Sequence, residues 1–238
     1  MQIYMEKEEK ELQAWLWLWL PVSVFIVIFG TAFISDTTYG YLFTGEFGLI
    51  ELATPLLLVP AIVSGVLIHL NKEKDVVKQF DAWIIFVTLA CIYFAGEELN
   101  WGQHLLGWET PKWLEEINRQ DETNLHNMSG WFNQKPRLLL EILVLVGGVY
   151  MPLKRKLLRI HLPHNNWQYW LYPSNVCIPA AVLAILSRMP DRLNKLFGSN
   201  WMMFDVRYSE VQELYFAIFL MIYLLSIKCR LLNYVKTS

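Results

Sequence analysis

Charge is scarce in this chain. Only 18% of its 238 residues are Asp, Glu, Lys or Arg, where an ordinary soluble domain carries about 25%. That shortage excludes a well-solvated globular surface. The formal net charge is −2, with no concentrated basic face, which excludes general affinity for nucleic acid. Cysteine is rare and odd in number: Cys91, Cys177 and Cys229 are scattered through apolar segments. They exclude a disulfide framework or a zinc knuckle and read as small buried hydrophobes. Internal repeats and low-complexity segments are missing. So is a small-residue cleavage site after "MQIYMEKEEKELQ", so the first apolar run is expected to stay as a transmembrane helix rather than act as a cleavable signal.

What the chain has instead is apolar length. Hydrophobic residues make up 55%, and there are 11 Trp, 11 Tyr and 13 Phe, rings that suit the lipid–water boundary. A span needs about 20 apolar residues. The runs predict an all-α, polytopic fold: a single integral membrane domain over 1–238, with spans at about 14–35, 48–70, 82–106, 136–152, 170–187 and 209–231. Pro136 suits the first turn of the fourth helix. Pro55 and Pro60 in the second helix, and Pro173 and Pro179 in the fifth, predict kinks or local unwinding. Trp15, Trp17 and Trp19 are expected as belt anchors.

Basic residues orient the spans. With the N-terminus inside, 12 of the 20 Lys and Arg fall on cytoplasmic segments, while 15 of the 22 acidic residues lie outside. The first outer loop, "DTTYGYLFTGEFG", has no basic residue. Both termini are therefore expected in the cytoplasm. His161 and His164 fall in the basic loop "KRKLLRIHLPHNNWQ" and read as interfacial side chains near anionic headgroups.

This topology gathers acids at one level. Glu51, Glu97, Glu98, Glu141 and Glu213 occupy the outer ends of four helices. An ionisable side chain within a span costs several kcal/mol unless it faces a cavity or a partner. The acids point either to a shared polar cavity opening outward or to ordinary interfacial groups, the reading adopted for Glu210. If the third helix runs on past Gly96, then Glu97, Asn100, Trp101 and His104 share one face, at i, i+3, i+4 and i+7. Glu98 and Gln103 would flank it. Gly96 and Gly102 would allow close approach of a helix or ligand. Glu and His together can hold a divalent metal or act as general base and orienting partner. The spacing is neither H-E-x-x-H nor the Glu-x-x-His of di-iron bundles.

The following segment, "ETPKWLEEINRQDETNLHN", reads as a short interfacial helix between the third and fourth spans. Thr110 would cap it and Pro111 would open it. Then come Glu122, Asn124 and His126, on the same side of the membrane as His104.

With "GEELNWGQHLLGWETP" and "INRQDETNLHN" in view, the chain resembles a family of bacterial multi-pass membrane proteins. Its members carry Glu-Glu-x-x-Trp-Gly-Gln followed by Asn-x-Gln-x-Glu-Thr-Asn-Leu-His-Asn. Glu97, Glu98, Trp101, Gly102, Gln103 and Glu122 to Asn127 carry the resemblance. It implies a bacterial inner-membrane protein and no particular activity. A weaker likeness is to the CAAX-type intramembrane proteases, which also place paired glutamates on a membrane helix. That family has an arginine where this chain has Gly102, and the Phe-x-x-x-His element is missing here. Both departures speak against the protease assignment.

Three functions compete. The first is a membrane-embedded hydrolase or transferase acting on a lipid or lipid-linked substrate at the outer boundary. Glu97 or Glu98 would be base or metal ligand, His104 and His126 ligands or acid, and Asn100, Gln103 and Asn124 orienting groups. Glu122 completes that set, and a divalent metal such as zinc would be held by Glu97, Glu98, His104 and His126. The second is a membrane subunit that binds a headgroup or partner protein, or a copy of itself. The third is an ion or proton-coupled transporter, against which stand the missing inverted repeat and acids near one surface rather than the midplane.

Overall fold

Lipid offers the backbone no hydrogen-bond partners, so each segment that enters it must close its bonds internally, as a helix does. The computed structural model of the chain describes residues 11–45, 48–70, 78, 80–110, 112, 130–198 and 206–237, and all regular structure among them is helical. A π-helical turn at Trp15–Trp19 leads into α1 (Leu20–Ile34), followed by α2 (Asp36–Phe43), α3 (Leu49–Leu70) and α4 (Asp81–Glu98). A tight turn then reaches the one-turn helix α5 (Gln103–Leu106). Next, α6 (Gly130–Leu143) continues through a π-helical stretch, Val144–Tyr150, into α7 (Met151–Leu157). The chain closes with α8 (Trp167–Leu171), α9 (Ile178–Leu186), α10 (Met189–Phe197) and α11 (Tyr208–Thr237).

Five of these stretches are long and apolar enough to cross a membrane: Trp15–Ile34, Leu49–Leu70, Lys135–Leu157, Trp167–Phe197 and Tyr208–Tyr234. The chain is a multi-pass membrane protein. The expected third span, α4, is not among the five: it has 18 residues and carries Asp81, Glu97 and Glu98.

No charge interrupts α11 between Glu213 and Lys228, and a helix apolar on every side is driven to the centre of a bundle. Its Val211, Tyr215, Ile218, Ile222, Leu224 and Ile227 are fully buried. Around it pack α3, α8, α9 and the π-helical stretch, while α4 lies along α3. Between apolar helices in lipid, close packing through small residues replaces hydrophobic driving force. A methyl group added at Gly65 of α3 would collide with Thr88 Oγ1 of α4. One added at Gly148 would meet Phe219 at 2.5 Å and Ala181 at 2.7 Å. Cys91 and Cys177 are buried free thiols, and Cys229 is half-buried. Trp15 and Trp19 are exposed, whereas Trp17 packs against the core.

The observed elements correct several expectations. The first "outer loop" contains α2, whose Ser35 cap accepts from Thr38 N at 3.2 Å; its Tyr39 and Phe43 are buried, which fixes the helix in place. The second helix runs unbroken over Leu49–Leu70, despite Pro55 and Pro60. The fourth helix is longer than 136–152, because π-helical turns absorb Gly147 and Gly148 without ending it. The fifth does unwind at Pro173, between α8 and α9, whereas Pro179 sits harmlessly in the first turn of α9. That break frees carbonyls, and α11 supplies their donors. Arg230 Nη1 and Nη2 donate to the Tyr169 and Trp170 oxygens, and Tyr223 Oη donates to Leu171 O at 2.6 Å. A guanidinium at a helix C-terminus also meets the negative end of its dipole. His164 belongs to this region, its ring edge-on to Tyr169 at 4.6 Å.

Candidate functional site

The helix carrying Glu97 does not continue to residue 106. It ends at Glu98, and three successive residues turn left-handed: Asn100 at φ 48, Trp101 at φ 54 and Gly102 at φ 90. Asn and Gly adopt this region readily, but a bulky Trp does so only when packing compels it. The compelling contact is visible. Trp101 folds back so that a Cβ placed on Gly96 would touch its ring at 2.8 Å. Its Nε1 donates to Glu97 Oε1 at 2.8 Å, and its ring meets Tyr93 edge-on at 6.2 Å. The expected single stripe of Glu97, Asn100, Trp101 and His104 is therefore broken. In its place is a clamp: Gly96 gives room, Trp101 folds back, and the buried Glu97 carboxylate is held.

Glu97 and Glu98 open onto a cleft of about 440 Å³. Along α4 the cleft is lined by Trp83, Val87, Ala90, Phe94 and Glu97, which recur at helical spacing on one face. The opposite walls are Leu139, Leu140, Leu143, Val146 and Gly147 from α6 and its π-helical continuation, and Phe216, Phe219 and Leu220 from α11. Charge is confined to one end, where Glu97, Glu98, Arg137 and Glu213 gather. At the other end Trp83 Nε1 donates to Tyr223 Oη at 2.9 Å, and Tyr223 in turn bonds Leu171 O. No Ser, Thr, Cys or His is among the described residues lining the cleft.

Among the described residues, four acids at this end of the bundle are paired with arginines. Arg137 pairs with Glu213, Arg192 with Glu141, and Arg207 with both Glu51 at 3.4 Å and Glu210 at 2.5 Å. Arg188 Nη1 donates to the buried Gln212 at 3.1 Å. Glu98 lies within Coulombic range of Arg137. The Arg207 backbone N–H donates to Tyr39 Oη at 3.3 Å, tying α2 into the network. Burial still pushes the Tyr39 phenol above its ordinary value. Low-dielectric surroundings favour charges that come as hydrogen-bonded pairs.

The structure thus brings Glu97, Glu98 and Glu213 to one cleft and leaves Glu51 and Glu141 outside its lining, in ion pairs. Asn100 sits in the left-handed turn, and Gln103 beyond it donates to Thr110 Oγ1 at 2.9 Å. His104 falls in α5; its side chain, with Glu122, Asn124, His126 and nearly all of the expected interfacial helix, lies outside the described residues. Among the described residues no group of three or more His, Cys, Asp or Glu is placed to hold a metal. Arg137, Arg188, Arg192 and Arg207, not expected as site residues, are the partners of this polar cluster. Their signal was present in the sequence, as cations at the same helix ends as the acids.

No family model, curated protein or solved structure matches the chain.

Proposed function

We propose that this is a membrane-embedded enzyme of the hydrolase or transferase class, which draws a lipid or lipid-linked substrate into the cleft between α4, α6 and α11. One observation carries the reading: a single cavity that is apolar over most of its length and charged only at one end. That is the polarity profile of an amphiphile, and ligand sites are typically apolar clefts with a few convergent polar groups. On this reading α4 is a sixth span, the charged end faces outward, and both termini lie in the cytoplasm of a bacterial inner-membrane protein.

The described lining holds no Ser, Thr or Cys nucleophile, and this reading gives the chemistry to the carboxylates. Glu98 or Glu97 takes a proton from water or an acceptor hydroxyl as its oxygen bonds to the carbonyl carbon or phosphorus, and the carboxyl so formed returns that proton to the leaving oxygen as its bond breaks. Arg137 offers a fixed positive charge to the oxygen on which charge develops. Trp101 holds Glu97 in position. A metal-assisted variant would need ligands from beyond the described residues, such as His126.

The test is turnover of lipid esters and phosphoesters by purified protein, comparing wild type with Glu97→Gln and Glu98→Gln. Loss of about 100-fold or more in at least one variant that still folds is expected for a general base. Undiminished turnover in both would overturn the assignment. A second reading, a non-enzymatic lipid-binding subunit, is favoured by the Trp101–Glu97 bond, which occupies one carboxylate oxygen.

A further inference from the structure

The cleft has a measurable depth and a built floor. From Glu97 at its charged end to Trp83 at its other end, α4 advances 14 residues, or about 21 Å at the rise of an α-helix, and from Glu213 to Tyr223 α11 advances 10, or about 15 Å. An extended hydrocarbon chain advances about 1.3 Å per carbon, given C–C bonds of about 1.5 Å. The depth therefore matches about 12–16 carbons. The volume of about 440 Å³ has room for one such chain. The floor is no accident of loose packing, since the Trp83–Tyr223–Leu171 hydrogen bonds tie α4, α11 and the end of α8 together at that level.

We propose that the cleft admits one acyl or alkyl chain and that Trp83 and Tyr223 gauge its length at about 12–16 carbons. The inference rests on the cleft being the substrate site proposed above, and it names the substrate class: an amphiphile inserted by a single chain, with any second chain left in the bilayer. Selectivity comes from fit rather than from hydrophobicity. A chain leaving lipid for the cleft exchanges one apolar surrounding for another, so added methylenes gain little. A chain too long must coil or displace the floor, and such overpacking weakens binding by about five-fold or more.

The experiment uses full-length protein in micelles of a bulky steroid detergent, offered an equal mixture of saturated lysophospholipids of graded chain length. Native mass spectrometry reads the bound fraction of each. Wild type should bind chains near the gauge length at least about five-fold over those four carbons longer. Trp83→Ala should move the maximum up by about four carbons, the depth of an indole ring. Leu143→Trp, which fills the cleft part-way, should move it down and serves the same purpose if Trp83→Ala does not fold. A flat profile in wild type, or one unmoved in the folded variants, overturns the gauge. Length-selective binding without turnover keeps the gauge and defeats the enzyme. Turnover without length selectivity does the reverse.

Discussion

Removing either half of the Arg137–Glu213 pair should destabilise the bundle, and the two halves should not be equivalent. The pair joins α6 to α11 beside the cleft, with side chains only 18% and 21% exposed. An exposed pair is worth about 0.2–1 kcal/mol, whereas stranding one member of a buried pair costs about 3–5 kcal/mol. At this burial the loss should lie near 2–3 kcal/mol, between those limits. Glu213→Gln leaves a guanidinium that cannot shed its proton. Its Nε is already buried without a partner. Arg137→Gln leaves a carboxyl that can become neutral, which caps the loss. Glu213→Gln should therefore be the worse variant, and the double change Arg137→Met with Glu213→Leu should be milder than either. For a chain of this length 1 kcal/mol moves Tm by about 2–4 °C, so the single variants should melt about 4–12 °C lower. The buried thiols of Cys91 and Cys177 give the assay, reacting with a fluorogenic maleimide as the detergent-solubilised protein opens. Single losses no larger than an exposed pair's, or a double loss equal to the sum of the singles, would refute the reasoning.

Three further outcomes follow from contacts elsewhere. Gly65→Ala should gain up to about 1 kcal/mol of helix propensity but lose about 1–3 kcal/mol to the Thr88 clash. A melt should show net loss, with Thr88→Ala restoring it; an unrescued Gly65→Ala would place the cost elsewhere. Arg230→Met should cost about 2–4 kcal/mol by orphaning two carbonyls at the break in the fifth span, read as earlier protease cleavage near Pro173; unchanged proteolysis would deny Arg230 that role. Trp101→Phe keeps a ring over Gly96 and removes the donor to Glu97. Substrate turnover should fall about 10-fold with little change in Tm, as expected for a lost charge-assisted bond of about 1.5 kcal/mol; equal turnover would show that the clamp does not position the carboxylate.

The α2 helix and the end of α4 show where reading from sequence stops. Ser35 followed by Asp36 is a helix-start pattern at the head of the segment that the span topology makes the first outer loop. Its helix holds because Tyr39 and Phe43 find a core. Asn100 and Gly102 are turn residues, but the carboxylate–amide–imidazole spacing favoured a continuous helix. What ends α4 is the Trp101 ring packing on the bare backbone of Gly96, a contact that no single-residue propensity encodes.

By itself the amino-acid sequence determined that this is a helical, multi-pass membrane protein. Lipid demands long apolar stretches with internally bonded backbone, and that demand is written locally, in runs such as Leu49–Leu70 and Tyr208–Tyr234. It also placed the acids near one end of several helices. Only the tertiary structure decided which of those acids share a cleft and which are tied to arginines. Pairings such as Arg137 with Glu213 or Trp83 with Tyr223 span 76 and 140 residues. Such pairings follow from which helices pack side by side, and in lipid that choice rests on shape and small residues, not on an apolar pattern each helix could carry alone.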